Sequence, residues 1–214
     1  MGIAATLYSR LFKAEPFTSE ALDNLAKTMK VTKILKRDKL DRYYKSRFLM
    51  QGGGASFDRV IFDARYLEML LPDELLAVAS HEFTHLNQRH GRKRVWRLLM
   101  PALIIGAITT IFLGYYGLEN YFSSILMGVI VTFCGMIALA FLNAKWQRQQ
   151  EIDGDLGSLK IDKGPAMMSA LDKISSLRPK GDMEIKLAKI IPQTYPTFEQ
   201  RINNIREQLH LQKM

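Results

Sequence analysis

The sequence predicts an α+β fold, mainly helical with a small β-sheet, interrupted by a two-helix transmembrane hairpin. Three observations carry that expectation. Residues 98–116 and 124–142 are apolar runs without one charged side chain, each close to the ~20 residues that cross a hydrocarbon core. Residues 72–88 space their apolar side chains at the helical period. Arg59, Val60, Ile61, Phe62 and Asp63 have the β-branched and aromatic content of a strand.

At 214 residues the chain can hold one domain with a real core, or a small domain plus an insertion. The apolar runs divide it into 1–96, 97–144 and 145–214, the first and last segments forming one domain around the hairpin. Residues 1–12 are too short for a secretory signal and are interrupted by Arg10. That short amphipathic start rests on a membrane or packs on the domain. Residues 18–30 read as a helix capped by Thr18 or Ser19, with Leu22, Leu25 and Met29 on one face. A polar, basic stretch follows at 33–47, then Gly52, Gly53 and Gly54 as a breaker before the 59–63 strand.

The next helix starts cleanly. Pro72 suits a first helical position, and Asp73 and Glu74 suit the positive N-terminal end. Leu75, Ala79, Phe83 and Leu86 fall on one stripe, the expected core face. His81 and His85 lie off that stripe on a shared side. They frame the pattern His81, Glu82, Phe83, Thr84, His85, in which two histidines four apart on a helix can reach one metal ion. Glu82, about 100° further round the helix, is poorly placed as a ligand but can reach a water on that metal. Three of the four histidines, His81, His85 and His90, share this short window. Zn2+ is the expected ion.

The hairpin has basic outer flanks. Arg92, Lys93, Arg94 and Arg97 precede it, and Lys145 and Arg148 follow it. Glu119 is the only charge in the 117–123 connector. Trp96 and Trp146 mark the basic end, and Tyr115, Tyr116, Tyr121 and Phe122 the connector end. Such a pattern describes an integral membrane protein with both ends of the hairpin in the cytosol. Two helices of a soluble core are the alternative, but core helices seldom lack a polar face over such a length. The single cysteine, Cys134, excludes an internal disulfide and a thiolate zinc site.

Two histidines do not complete a catalytic zinc site, which expects three protein ligands plus water. A metzincin continuation needs glycine at 88 and histidine at 91, where this chain has Gln88 and Gly91. His90 is one position short and is expected to face elsewhere. Glu151 and Asp155, after the hairpin, offer the ExxxD spacing. Because the hairpin returns the chain to its starting side, Glu151 is the expected third ligand. Asp155, one turn on, can accept a hydrogen bond from the far nitrogen of a ligand imidazole.

These residues resemble the HtpX-type membrane metalloproteases, a family that includes the CAAX prenyl endopeptidases and the BepA-like and Oma-like peptidases. Leu70 through Glu82 is similar to the family's approach to its motif, and His85 through His90 to the BepA-like continuation. Pro196 with Arg201 and Ile202 is similar to the closing HPxxxxRI element. The resemblance implies a gluzincin-type domain acting as an endopeptidase on membrane or misfolded proteins, in protein quality control. Tyr195 stands where the family has a histidine thought to stabilise the transition-state oxygen. A tyrosine hydroxyl can donate to an oxyanion, or it only packs; both readings stay open. Arg201 matches the family's arginine, which braces the closing loop or metal site or holds the oxyanion; a surface role is the bland alternative. The family's usual N-terminal membrane helices have no match here.

The expected function is therefore metal-assisted peptide hydrolysis, with Glu82 as general base and protein or peptide substrates. The 59–63 strand either lines the cleft as an edge to which extended substrate adds or is purely structural. A non-catalytic membrane adaptor retaining a structural zinc site is the competing reading. A net charge of +9 also fits nucleic-acid binding, but the cations cluster beside the apolar runs and no reading motif is evident. Lipid bilayer, not nucleic acid, is the expected partner.

Overall fold

The computed structural model describes residues 15–31, 43–46, 53–56, 59–116, 121–177, 195–212 and 214. The amphipathic start at 1–12, most of the basic stretch at 33–47 and residues 117–120 of the hairpin connector lie outside the described residues. The elements run β1 (Glu15–Phe17), α1 (Glu20–Thr28), β2 (Tyr43–Ser46), β3 (Gly53–Ser56), β4 (Arg59–Asp63), α2 (Ala64–Met69) and α3 (Pro72–Asn87). Then follow α4 (His90–Tyr116), α5 (Tyr121–Leu159), α6 (Gly164–Leu177) and α7 (Phe198–Leu211). The fold is α+β and mainly helical, as the sequence predicts.

The sheet has four strands in the order β1-β2-β4-β3. β2 pairs antiparallel with β1 and parallel with β4, and β3 pairs antiparallel with β4. This rules out the reading of residues 59–63 as an edge and leaves the purely structural one. Val60, Ile61 and Phe62 are all buried, and a run apolar on both faces belongs inside a sheet. The edges fall to β1 and β3. Gly53 and Gly54 are strand residues rather than breakers, because the local antiparallel pairing with β4 overrides glycine's weak strand preference. β2, hidden in a stretch read as merely basic, buries Tyr43 and Tyr44.

α1 begins at Ser19, whose Oγ accepts from the Leu22 amide at 3.4 Å. It packs Leu22, Leu25 and Ala26 onto the core. The buried Asp63 ends β4 and caps α2 by accepting from the Arg65 amide at 2.9 Å. Glu74 does more than complement the helix dipole of α3. It is buried, accepts from the Leu71 amide (2.8 Å), Ser169 Oγ (2.6 Å) and Lys173 Nζ (2.7 Å), and so fastens α3 to α6. Burial pushes this carboxyl up, but those three donors outweigh it and hold it below its usual range. Residues 77–84 of α3 are buried on every side, because α5 covers the face opposite the predicted stripe. The core joins Tyr43 and Phe62 of the sheet to Phe83 of α3, Met167 and Leu171 of α6 and Ile205 of α7.

α4 and α5 are long and apolar enough to cross a membrane, and their apolar windows are 0% and 11% buried. A soluble core helix would be covered. Ile111, Val129 and Phe133 instead stand exposed. Between the two helices, Gly135 lets the Ile105 side chain approach, and Thr109 Oγ1 lies 3.3 Å from Thr132 Oγ1, the small-residue contacts that bring membrane helices together. Both helices extend well beyond the apolar runs. At 1.5 Å per residue, Glu151 stands roughly 14 Å past the end of the second run on the same continuous helix.

Candidate metal centre

α3 and α5 meet closely because α5 presents glycines to α3. A Cβ on Gly154 would lie 2.6 Å from His81 Cε1 and 2.7 Å from its Nδ1. A Cβ on Gly157 would strike Thr84 Oγ1 and lie 3.1 Å from the Ser80 carbonyl oxygen. The His81 ring therefore lies on bare α5 backbone. Glycine costs ~1 kcal/mol relative to alanine in a helix interior, so Gly154 and Gly157, three apart, are a sequence signal for close approach that the HExxH and ExxxD patterns do not contain.

Across this seam three ligating side chains converge. His81 Nε2 and His85 Nε2 are 2.9 Å apart. Glu151 Oε2 lies 3.4 Å from the first and Oε1 3.7 Å from the second. One ligand atom from each residue falls within 4.8 Å of the others. Four-coordinate Zn2+ with bonds of about 2.1 Å needs ligand atoms about 3.4 Å apart, so the glutamate separations fit and the imidazole pair must open by about half an ångström. Two nitrogens and a carboxylate oxygen are a zinc-type donor set.

Asp155 completes the arrangement. Its Oδ1 is 2.9 Å from His81 Nδ1, leaving Nε2 to face the cluster. Arg201 grips the same carboxylate from the far side, with Nε donating to Oδ2 at 2.8 Å and Nη2 to Oδ1. Its Nη1 lies 3.7 Å from Glu151 Oε2. The guanidinium thus spans both carboxylates. Thr197, which caps α7 through reciprocal bonds with Gln200, sets the first turn from which Arg201 projects.

All these groups lie outside the apolar runs. Burial pushes the Asp155 and Glu151 carboxyls up, yet Arg201 and His81 hold each at about 2. Burial pushes His81 down, but its bonds to Asp155 and Glu151 prevail and raise it to about 10. Burial and the neighbouring His81 charge push His85 down to about 3. In the metal-free site one imidazole is thus charged and one neutral, between two carboxylates.

His90 contradicts its expected orientation. α3 stops at Asn87, and Arg89 turns the chain with a φ of 55°, so the helical count no longer holds at residue 90. His90 Nδ1 instead lies 2.7 Å from His85 Nδ1, and its Nε2 is 2.7 Å from Gln88 Oε1. His85 thus has an orienting partner, as His81 has in Asp155. The third histidine of the window was the legible sign. Glu82 is buried beside His81, near enough for its charge to act on Arg201. Tyr195 is half-buried just before α7, with no hydrogen bond among the described residues.

Fold and donor set define a metallopeptidase-type centre: two histidines on one helix and a glutamate on a second helix packed against it. The model of Peptidase family M48 matches residues 44–209, and the chain belongs to that family. In structure it is similar to S. mikatae Ste24p, with a TM-score of 0.65 at 15% sequence identity. The match covers 95% of this chain but 53% of that one, so the chain spans about half of Ste24p's length. No curated protein matches it in sequence.

Proposed function

We propose that the protein is a membrane-anchored zinc metalloendopeptidase that hydrolyses peptide bonds in membrane or misfolded proteins. The convergence of His81, His85 and Glu151 within 4.8 Å is the observation that carries this reading. Zn2+ bound by these three residues would supply Lewis acidity and acidify a water at the open position towards a pKa of about 7. Glu82 takes the proton from the attacking water and hands it to the departing amine. Asp155 keeps His81 in the ligating tautomer, and Arg201 acts through Asp155 and Glu151 as a positioning residue. Tyr195 offers a hydroxyl without a hydrogen-bond partner among the described residues, suited to donate to the developing oxyanion. β3, an edge strand packed beside α3, is the strand to which an extended substrate adds.

Residues 97–144 form the membrane hairpin, inserted between the 1–96 and 145–214 parts of the peptidase domain. The basic flanks favour a catalytic domain facing the cytosol. One experiment tests the function: incubation of the purified protein with unfolded casein, with and without a zinc chelator. Chelator-sensitive cleavage that Glu82→Gln abolishes is expected. Zinc retention without cleavage by the wild type would favour the adaptor reading instead.

A further inference from the structure

One face of α4 carries cations at its foot and uncovered hydrocarbon above them. Arg89, Arg92, Lys93, Trp96 and Arg97 line a shallow recess of about 440 Å³. Arg92 and Lys93 are exposed, and among the described residues none of the four cations has an acidic partner. Arg97 stacks over the Trp146 ring at 4.8 Å, which brings in the basic flank of α5, and Trp96 is 51% exposed. At 100° per residue, Met100, Leu103 and Ile104 continue up the same face, and all three are exposed. Arg92 to Leu103 spans roughly 16 Å of helix, enough to run from a headgroup into the acyl region.

We propose that this face binds an anionic phospholipid, its phosphate among Arg89, Arg92 and Lys93 and its acyl chain along Met100, Leu103 and Ile104. A phosphate presents oxygens that arginine and lysine donate to, and Trp96 sits at the depth where aromatic side chains favour the interface. A free anion or a nucleic acid would use the cations but leave the apolar strip uncovered. The lipid fits both parts. The site rests on the membrane reading of the hairpin, and it touches the proposed metal centre through the helix that His90 begins.

The test uses the full chain in nanodiscs of phosphatidylcholine with a minor fraction of phosphatidylglycerol, and measures by mass spectrometry which lipid is retained on detergent extraction. The wild type is expected to enrich phosphatidylglycerol about tenfold, and Arg92→Gln with Lys93→Gln to lose most of that enrichment. An equal-charge control, Lys27→Gln with Lys160→Gln, keeps it, and millimolar inorganic phosphate does not displace the lipid. Insertion without preference, an equal loss in the control, or displacement by phosphate overturns the lipid site while leaving the membrane reading intact. A chain that stays soluble without detergent or bilayer overturns both.

Discussion

Gly154→Ala places a methyl group against the face of His81. Its carbon would lie 2.6 Å from Cε1, 2.7 Å from Nδ1 and 3.1 Å from Nε2, about an ångström inside the ~3.5–4.0 Å of comfortable contact. The ring cannot slide away freely. Nδ1 is held by Asp155 at 2.9 Å, and Asp155 is held in turn by Arg201. Alanine raises helix propensity by ~1 kcal/mol, while overpacking a tight site costs ~1–3 kcal/mol. The two effects leave the metal-free protein between unchanged and about 2 kcal/mol less stable. Metal binding suffers more, because the displaced ring no longer aims Nε2 at the shared point; a loss of about 10- to 100-fold is expected, the scale for disturbed outer-shell support. Denaturant titration and chelator competition with Zn2+ measure the two quantities. Gly106→Ala, which meets nothing within 4 Å, is the control and keeps full affinity. A Gly154→Ala protein that is ~1 kcal/mol more stable and binds zinc normally would refute the close-approach argument.

Other outcomes follow from the same geometry. Glu82→Gln keeps zinc but lowers casein cleavage by about 10²–10⁴-fold, read as metal content and rate on one preparation. Asp155→Asn and His90→Phe each weaken zinc by about 10- to 100-fold, since each removes the partner of one ligand imidazole; chelator competition measures it. Zinc binding at pH 7 releases at least one proton per site, because His81, raised to about 10, is protonated before binding and neutral after it. Affinity therefore climbs by about tenfold per pH unit up to about pH 7 and more steeply above it as the bound water also ionises, which calorimetry in buffers of different ionisation enthalpy detects. In the metal-free protein, Asp155 and Glu151 are depressed to about 2. Their stabilisation is present above the ordinary carboxylate range and is lost as pH falls through about 2, a loss visible in acid unfolding monitored by circular dichroism.

The sequence revealed the chemistry more readily than the architecture around it. His81, Glu82 and His85 are legible because a helix fixes their mutual geometry from spacing alone. Glu151 and Asp155 needed a topological step, that a hairpin returns the chain to its own side, and the structure brings both to the histidines. Arg201 was reached by resemblance, and its grip on Asp155 is a tertiary fact that no local pattern encodes. The sheet was mostly illegible. β1 and β2 are three and four residues long, too short for alternation to register, and β3 opens on glycines whose pairing is decided by β4. The position of His90 is illegible because the turn at Arg89 breaks the helical count between it and His85.

X-ray absorption at the zinc edge of the purified protein tests the central claim most directly. Two imidazole nitrogens and a carboxylate oxygen at about 2.0–2.1 Å are predicted, with the carboxylate contribution lost in Glu151→Ala. A protein that binds no zinc, or a spectrum that Glu151→Ala leaves unchanged, would contradict a centre shared by α3 and α5.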